Sequence, residues 1–292
     1  MGCRAVMISR PVFRSHGGKF HVRERLVRVL MSIPHRIRTE AFAGAGSVSL
    51  AMPRCHVEVL NDLDGEIVNL FKVLRDPRRS PELIRLMRLT PYAREEFEGS
   101  YKAIGTRASK VERARIFLVR AWMGYSSRGA TSPHRTGFRA NCGRSSLPSV
   151  DWSRLPGSFG EICERLQGIL IEHREATEII RRYDAPDALH FADPPYVFST
   201  RPGGAKRGYR HELDDEAHRE LAACLHACKG AWVVCGYPST LYDEVLFSGA
   251  YRLQYETHSE AAAKRVEVCW SNRPIVEQQS LWADSSFEQA GT

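Results

Sequence analysis

Residues 37–62 read IRTEAFAGAGSVSLAMPRCHVEVLND, and this stretch decides the fold. Ile37-Arg38-Thr39-Glu40-Ala41-Phe42 is a strand candidate that ends in Gly44-Ala45-Gly46, and a helix-like stretch runs from Ser47 to Met52. A second strand, Val57-Glu58-Val59-Leu60, ends at Asn61-Asp62. Strand, glycine turn, helix, strand and acid form the first half of a nucleotide-binding α/β unit. Glycines where the first strand meets the helix permit positive φ and let the backbone approach a ligand closely. Phe42, Gly44 and Gly46 are therefore candidate ligand-binding residues, and Asp62 stands where an acid accepts hydrogen bonds from ribose hydroxyls.

Working outward, a helix is expected from about Glu66 to Leu74, and another over 20–33, stopping before Pro34. The first ten residues read as a weakly ordered lead-in. From about 80 to 165 the α/β alternation breaks. Ser109 with Glu112 makes a capping box for a helix, and after Gly124 the chain is polar and turn-rich through Pro148. We read 80–165 as an insertion. Alternation resumes with a strand at Gly168–Ile171, a helix holding Ile179 and Ile180, and a strand running into Asp193. A helix from about Asp214 to Cys228, a strand at Ala231–Cys235 and a late strand at Val266–Trp270 follow. The expected domains are a discontinuous α/β domain, 11–79 and 166–274, the insertion 80–165, and a tail, 275–292.

The chemistry concentrates in Asp193-Pro194-Pro195-Tyr196, after the apolar run Ala188, Leu189, Phe191, Ala192. Two prolines cannot continue a strand, so the chain must turn there. The turn leaves a carboxylate, a backbone carbonyl and an aromatic ring at the C-terminal edge of a sheet, where ligands bind in open α/β folds. Two acceptors match the two N–H donors of an exocyclic amino group, and the ring offers a stacking face for a planar base.

The third glycine of a dinucleotide fingerprint is absent, which argues against a pyrophosphate cofactor. A nucleoside with a small zwitterionic tail, such as S-adenosylmethionine, fits better. The net charge is +8, and residues 101–154 hold eleven Lys or Arg against two acids, so this segment alone accounts for the excess. Arginine predominates there, which favours a nucleic-acid partner over a merely solvated face. Arg128, Arg135, Arg139 and Arg144 are the candidate DNA contacts. No apolar stretch has the length of a membrane span and no apolar leader opens the chain, so a cytoplasmic protein is expected. The eight cysteines lack zinc-like pairing: Cys224 and Cys228 share a helix face without a second ligand pair, so neither a metal nor disulfides are expected.

Several blocks together resemble the Dam-related (D12 class) N6-adenine-specific DNA methyltransferases, particularly the orphan enzymes carried by prophages. They are His16-Gly17-Gly18-Lys19, Glu40 to Ser47, Asn61-Asp62-Leu63-Asp64 with Asn69 and Leu70, Arg135 to Asn141, Asp193 to Tyr196, His218 with Leu221, Gly236-Tyr237-Pro238-Ser239, and Lys264-Arg265 through Glu267 and Trp270. The resemblance covers residues 12–272 or so.

The resemblance implies a Rossmann-like S-adenosylmethionine-dependent methyltransferase sheet with a mostly helical, basic target-recognition insertion. It implies methyl transfer to N6 of a flipped-out adenine in double-stranded DNA. Asp193, Pro194, Pro195 and Tyr196 would be catalytic, Lys19 would lie near the cofactor and catalytic loop, and Phe42, Gly44, Gly46, Asp62 and Asp193 would hold the cofactor. An RNA N6-adenine methyltransferase is the alternative. A cytosine-N4 enzyme fits less well, since Asp rather than Ser opens the Pro-Pro-Tyr motif. A catalytically idle DNA-binding protein and a nicotinamide dehydrogenase are the remaining rivals. Recognition sequence and oligomeric state, monomer or homodimer, stay open.

Overall fold

β1 (Ile37–Glu40) and β2 (Val57–Asn61) pair in parallel, with Ile37 opposite Val57 and Glu40 opposite Leu60. These coordinates come from a computed structural model that describes residues 8–276, except 9, 16, 103–107, 126–128, 133, 141–146, 202–207 and 259–263. The sheet is completed by β3 (Leu170–Glu172), β4 (Ala188–Ala192), β5 (Ala231–Gly236), β6 (Tyr251–His258) and β7 (Lys264–Ser271). Strand order is β3-β2-β1-β4-β5-β7-β6. The first five are parallel, and β7 runs antiparallel between β5 and β6. Every residue of β4 and β5 is buried, as expected of parallel strands covered on both faces. The order reverses between β1 and β4, which opens a crevice at their C-terminal ends.

α1 (Arg23–Met31) and α2 (Ser47–Ala51) cover one face, with Leu26, Leu30 and Val48 packed on Leu189, Phe191 and Val233. On the other face, α8 (Ala176–Arg182) and α9 (Asp215–His226) set Ile180, Leu221 and Leu225 against Ala192, Trp232 and Trp270. α3 (Gly65–Arg75) starts at Asp64, whose carboxylate accepts the Glu66 N–H at 2.9 Å.

α3 also carries the middle of the chain. α4 (Ser80–Leu89), α5 (Arg94–Gly99), α6 (Lys110–Met123) and α7 (Pro148–Leu166) share one apolar cluster with α3, through residues such as Phe71, Leu83, Phe97, Phe117 and Phe159. Ser109 caps α6 by accepting the Glu112 N–H, as the capping-box spacing predicts. The Glu112 carboxylate turns to Arg115.

Two differences from the sequence reading have physical causes. α7 lies at the end of the segment read as irregular. Its Trp152, Leu155, Phe159, Ile162 and Leu166 recur at alternating three- and four-residue spacing and are all buried, while Pro148 opens the helix, where its missing N–H costs nothing. β6 was not foreseen: it is an edge strand on which Arg252, Gln254 and Glu256 are exposed and polar while Tyr255 and Thr257 are buried. Of the ten residues read as a lead-in, 1–7 and 9 lie outside the described residues; Ile8 is buried, and just beyond it Val12 and Phe13 are buried too, with Phe13 meeting Phe117 edge-on at 4.9 Å.

A buried ionic cluster fixes α7 to the sheet. Glu58 of β2 bonds Arg38 of β1 and, at 2.6 and 2.9 Å, Arg165 of α7, which also donates to the carbonyls of Ser49 and Met52. Losing one member of such a cluster costs about 3–5 kcal/mol, because the remaining charge stays buried.

Candidate active site

The glycine turn after β1 and the turn after β4 face one another across the crevice and line a single cavity of 1440 Å³. Gly44 and Gly46 have φ of 50° and 63°, the left-handed region that favours glycine. A Cβ on Gly44 would meet nothing within 4 Å, whereas one on Gly46 would press on Phe71 and Leu50 at 3.3 and 3.4 Å. Gly46 thus answers to packing, and Gly44 leaves the backbone open towards the cavity.

Asp62 ties this turn to β2. Its Oδ2 accepts the Gly44 N–H and its Oδ1 the Asp64 N–H, both at 2.8 Å. Burial pushes its carboxyl up to about 6, against the pull of these two amides. Glu40, at the end of β1, is 3% exposed and accepts the Ser49 N–H at 3.1 Å. Burial raises it to about 7. Phe42 lies on the same cavity wall. An acid beside an open glycine turn at the end of the neighbouring strand is an arrangement that an adenosine-containing cofactor would fit.

At the other wall, Lys19 reaches the Asp193-Pro194-Pro195-Tyr196 turn. Its Nζ lies 3.0 Å from Asp193 Oδ1 and donates to the Tyr196 hydroxyl at 2.7 Å. Burial disfavours the ammonium, but Asp193 and Glu267 more than offset it, so Lys19 sits well above the ordinary lysine range. Burial raises Asp193 as well, and Lys19 opposes that rise. The Tyr196 ring meets Tyr237 edge-on, with centroids 4.6 Å apart, and Arg265 donates to the Tyr237 hydroxyl at 2.8 Å. A carboxylate fixed by a lysine beside two aromatic rings suits a planar base bearing an amino group.

Sequence reasoning missed several residues here. Arg201 donates to the Tyr196 carbonyl at 2.7 Å and grips Glu212 with both terminal nitrogens. Glu212 in turn accepts backbone N–H groups of Gly208 and Tyr209. Arg210 joins Asp64 to the carbonyl of Ala130. Nothing local in the sequence marks them; only the fold brings them to the cavity.

The candidate DNA contacts separate. Arg135 is about half exposed, lies 5.3 Å from the Tyr101 ring centroid and is 3.8 Å from Glu98. Arg139 is 13% exposed at its side chain, 3.7 Å from Asp151, and lines the cavity. Arg128 and Arg144 lie outside the described residues. Other cations of the basic segment turn inward: Arg113 to Glu66, Arg115 to Glu112 and Glu96, and Arg120 to the Ser100 carbonyl. Trp122 is buried, whereas Tyr125 is exposed. Cationic side chains that the charge count did not single out, Arg10, Arg25 and Arg28, line the cavity from the N-terminal side.

Among the described residues, one group offers three possible metal-ligand atoms within 4.8 Å of one another: Asp184, His190 and Cys228, near the N-terminal ends of β4 and β5. Both Asp184 oxygens accept backbone N–H groups, from Lys229 and Gly230. The six described cysteines are free thiols. No helix among the described residues is long and apolar enough to cross a membrane.

A search of curated proteins finds no match. Among the solved structures that match is SMU.472, assigned as a methyltransferase and complexed with SAH. It is 11% identical, with a TM-score of 0.25, over 69% of this chain and 55% of that one, so the chain spans little more than half its length. A likeness that low carries no argument. The family profile of the D12 class N6 adenine-specific DNA methyltransferases matches residues 15–261, most of the chain and both walls of the cavity. The chain belongs to the D12 class N6 adenine-specific DNA methyltransferase family.

Proposed function

We propose that the protein transfers the methyl group of S-adenosylmethionine to N6 of an adenine flipped out of double-stranded DNA. The observation that carries this reading is the Lys19–Asp193–Tyr196 cluster, which shares one cavity with the Gly44 turn and Asp62. In this reading Phe42, Gly44, Gly46 and Asp62 hold the cofactor, which supplies a methyl group on a sulfonium. Lys19 fixes Asp193 through Oδ1, and the other carboxylate oxygen and the Pro194 carbonyl accept the two N6 hydrogens. That pair of bonds biases the nitrogen towards sp³ and aims its lone pair. Positioning and electrostatics then carry most of the rate. The S–CH3 bond would break as the N–CH3 bond forms, leaving the neutral thioether, and Asp193 need not be a strong base, since its carboxylate would take the proton only after the nitrogen becomes cationic.

Extruding the base costs a few kcal/mol. Stacking on Tyr196 returns about 1–3 kcal/mol, and backbone contacts from the basic segment supply the rest. The catalytic unit is then 11–79 with 166–274, residues 80–165 form the recognition insertion, and 275–292 are a tail whose residues from 277 onward lie outside the described residues. The setting is the cytoplasm, where the enzyme marks DNA as an orphan methyltransferase. Purified protein with methyl-labelled cofactor and equal amounts of duplex DNA and RNA tests this. Label recovered as N6-methyladenine from DNA supports the reading, and label in RNA alone replaces it with an RNA adenine methyltransferase.

A further inference from the structure

Glu267 of β7 stands directly opposite Tyr255 of β6, and one of its oxygens collects three donors. The Tyr255 hydroxyl donates at 3.2 Å, the Tyr196 hydroxyl at 3.3 Å, and Lys19 Nζ lies at 3.5 Å. Glu267 is 9% exposed, so these contacts form inside the protein, where a carboxylate without partners would be costly. Lys19 is therefore held between two carboxylates, Asp193 on one side and Glu267 on the other. The Tyr196 hydroxyl is held by Lys19 and Glu267.

We propose that Glu267 is a positioning residue for methyl transfer: it holds Lys19 and the Tyr196 hydroxyl in the one arrangement that fixes Asp193 towards the target amino group. This rests on the methyltransferase reading above. Glu267 lies on the cavity wall beside the turn and acts through its contacts to Lys19 and Tyr196. The register of the β6–β7 hairpin delivers it, since a slip of one residue in β7 would turn its carboxylate to the opposite face of the sheet.

The arrangement has an electrostatic signature that simple packing lacks. The ionisable groups around the cluster include Lys19 before α1, Glu40 at the end of β1, Asp193 and Tyr196 after β4, Tyr209 from the loop before α9, Cys235 on β5, Tyr242 after β5, Tyr255 on β6 and Cys269 on β7. Arg25 of α1 lies over the Tyr255 ring, and Arg265 is two residues back along β7. Within this set, burial opposes the Lys19 charge while Asp193 and then Glu267 favour it. Burial raises Asp193, Lys19 lowers it and Glu267 raises it. Removing the Glu267 charge therefore lowers the proton affinity of both.

The test is Glu267→Gln with Tyr255→Phe, comparing kcat–pH profiles, cofactor Kd and melting curves on wild-type and variant full-length protein. Glu267→Gln should cut kcat about ten-fold or more, leave cofactor Kd within about two-fold, and move the acidic limb of the profile, set by Asp193, towards lower pH. Tyr255→Phe keeps the charge but removes a donor that dampens it, so that limb should move the other way by less. A folded Glu267→Gln protein whose acidic limb coincides with wild type overturns the proposal. If that variant does not fold, an unmoved acidic limb in Tyr255→Phe overturns it instead. A wild-type protein that methylates no DNA overturns the underlying reading, and is seen before any variant is compared.

Discussion

Arg210 Nη1 donates to both carboxylate oxygens of Asp64, at 2.7 and 2.8 Å. Its Nη2 reaches the Ala130 carbonyl at 3.1 Å, and its backbone N–H reaches Thr131 at 2.8 Å. Asp64 also caps α3, so one guanidinium joins the end of the wall that holds Gly44 and Asp62, the loop after the Asp193–Tyr196 turn and the basic middle segment.

Arg210→Ala should therefore weaken more than stability. With a third of the side chain exposed, the loss is about 1–2 kcal/mol, below that of a fully buried pair. In steady-state kinetics, KM for DNA should rise several-fold while KM for cofactor changes little. Equal change in both would contradict a role in coupling the middle segment to the site.

Arg135 and Arg139 should part company in DNA binding. Arg135→Ala, at an exposed side chain, should reduce the slope of log K against log salt by about 1. Arg139→Ala, at a side chain set against Asp151, should lower the melting temperature and leave the slope nearly unchanged. Equal slope changes for the two would contradict the assignment.

Glu40 makes stability depend on pH. Its folded-state value, about 7, lies above the ordinary 4.5, so the folded protein holds this proton more tightly than the unfolded chain. Stability from this group is therefore greatest below pH 4.5 and is lost as pH rises towards 7, on the order of 3 kcal/mol in all. Glu40→Gln keeps an acceptor for the Ser49 N–H and removes the charge. Urea unfolding should find the variant gaining on wild type between pH 5 and pH 8, and parallel curves would refute this.

What the sequence made legible was local. The strand, glycine turn and Asp62 of residues 37–62, and the proline-enforced turn at Asp193, are short-range signals, and both lie where the reading put them. α7 was hidden because Pro156, Gly157 and Gly160 break the helical composition, although its buried positions keep the helical repeat. β6 was hidden because an edge strand carries polar residues on much of its length. Charge counting marked a basic segment but could not tell Arg115, spent on Glu112 and Glu96, from the exposed Arg135. The meeting of Lys19 with Glu267 depends on strand register across most of the chain, and no local pattern announces it.

The most direct test is single-molecule sequencing of modified bases in DNA from a methylation-deficient host expressing the protein, beside an Asp193→Ala control that still binds cofactor. The account predicts N6-methyladenine at a defined sequence with the wild type and none with the control. Methyladenine persisting in the Asp193→Ala host, or absent from the wild-type host despite bound cofactor, would contradict it.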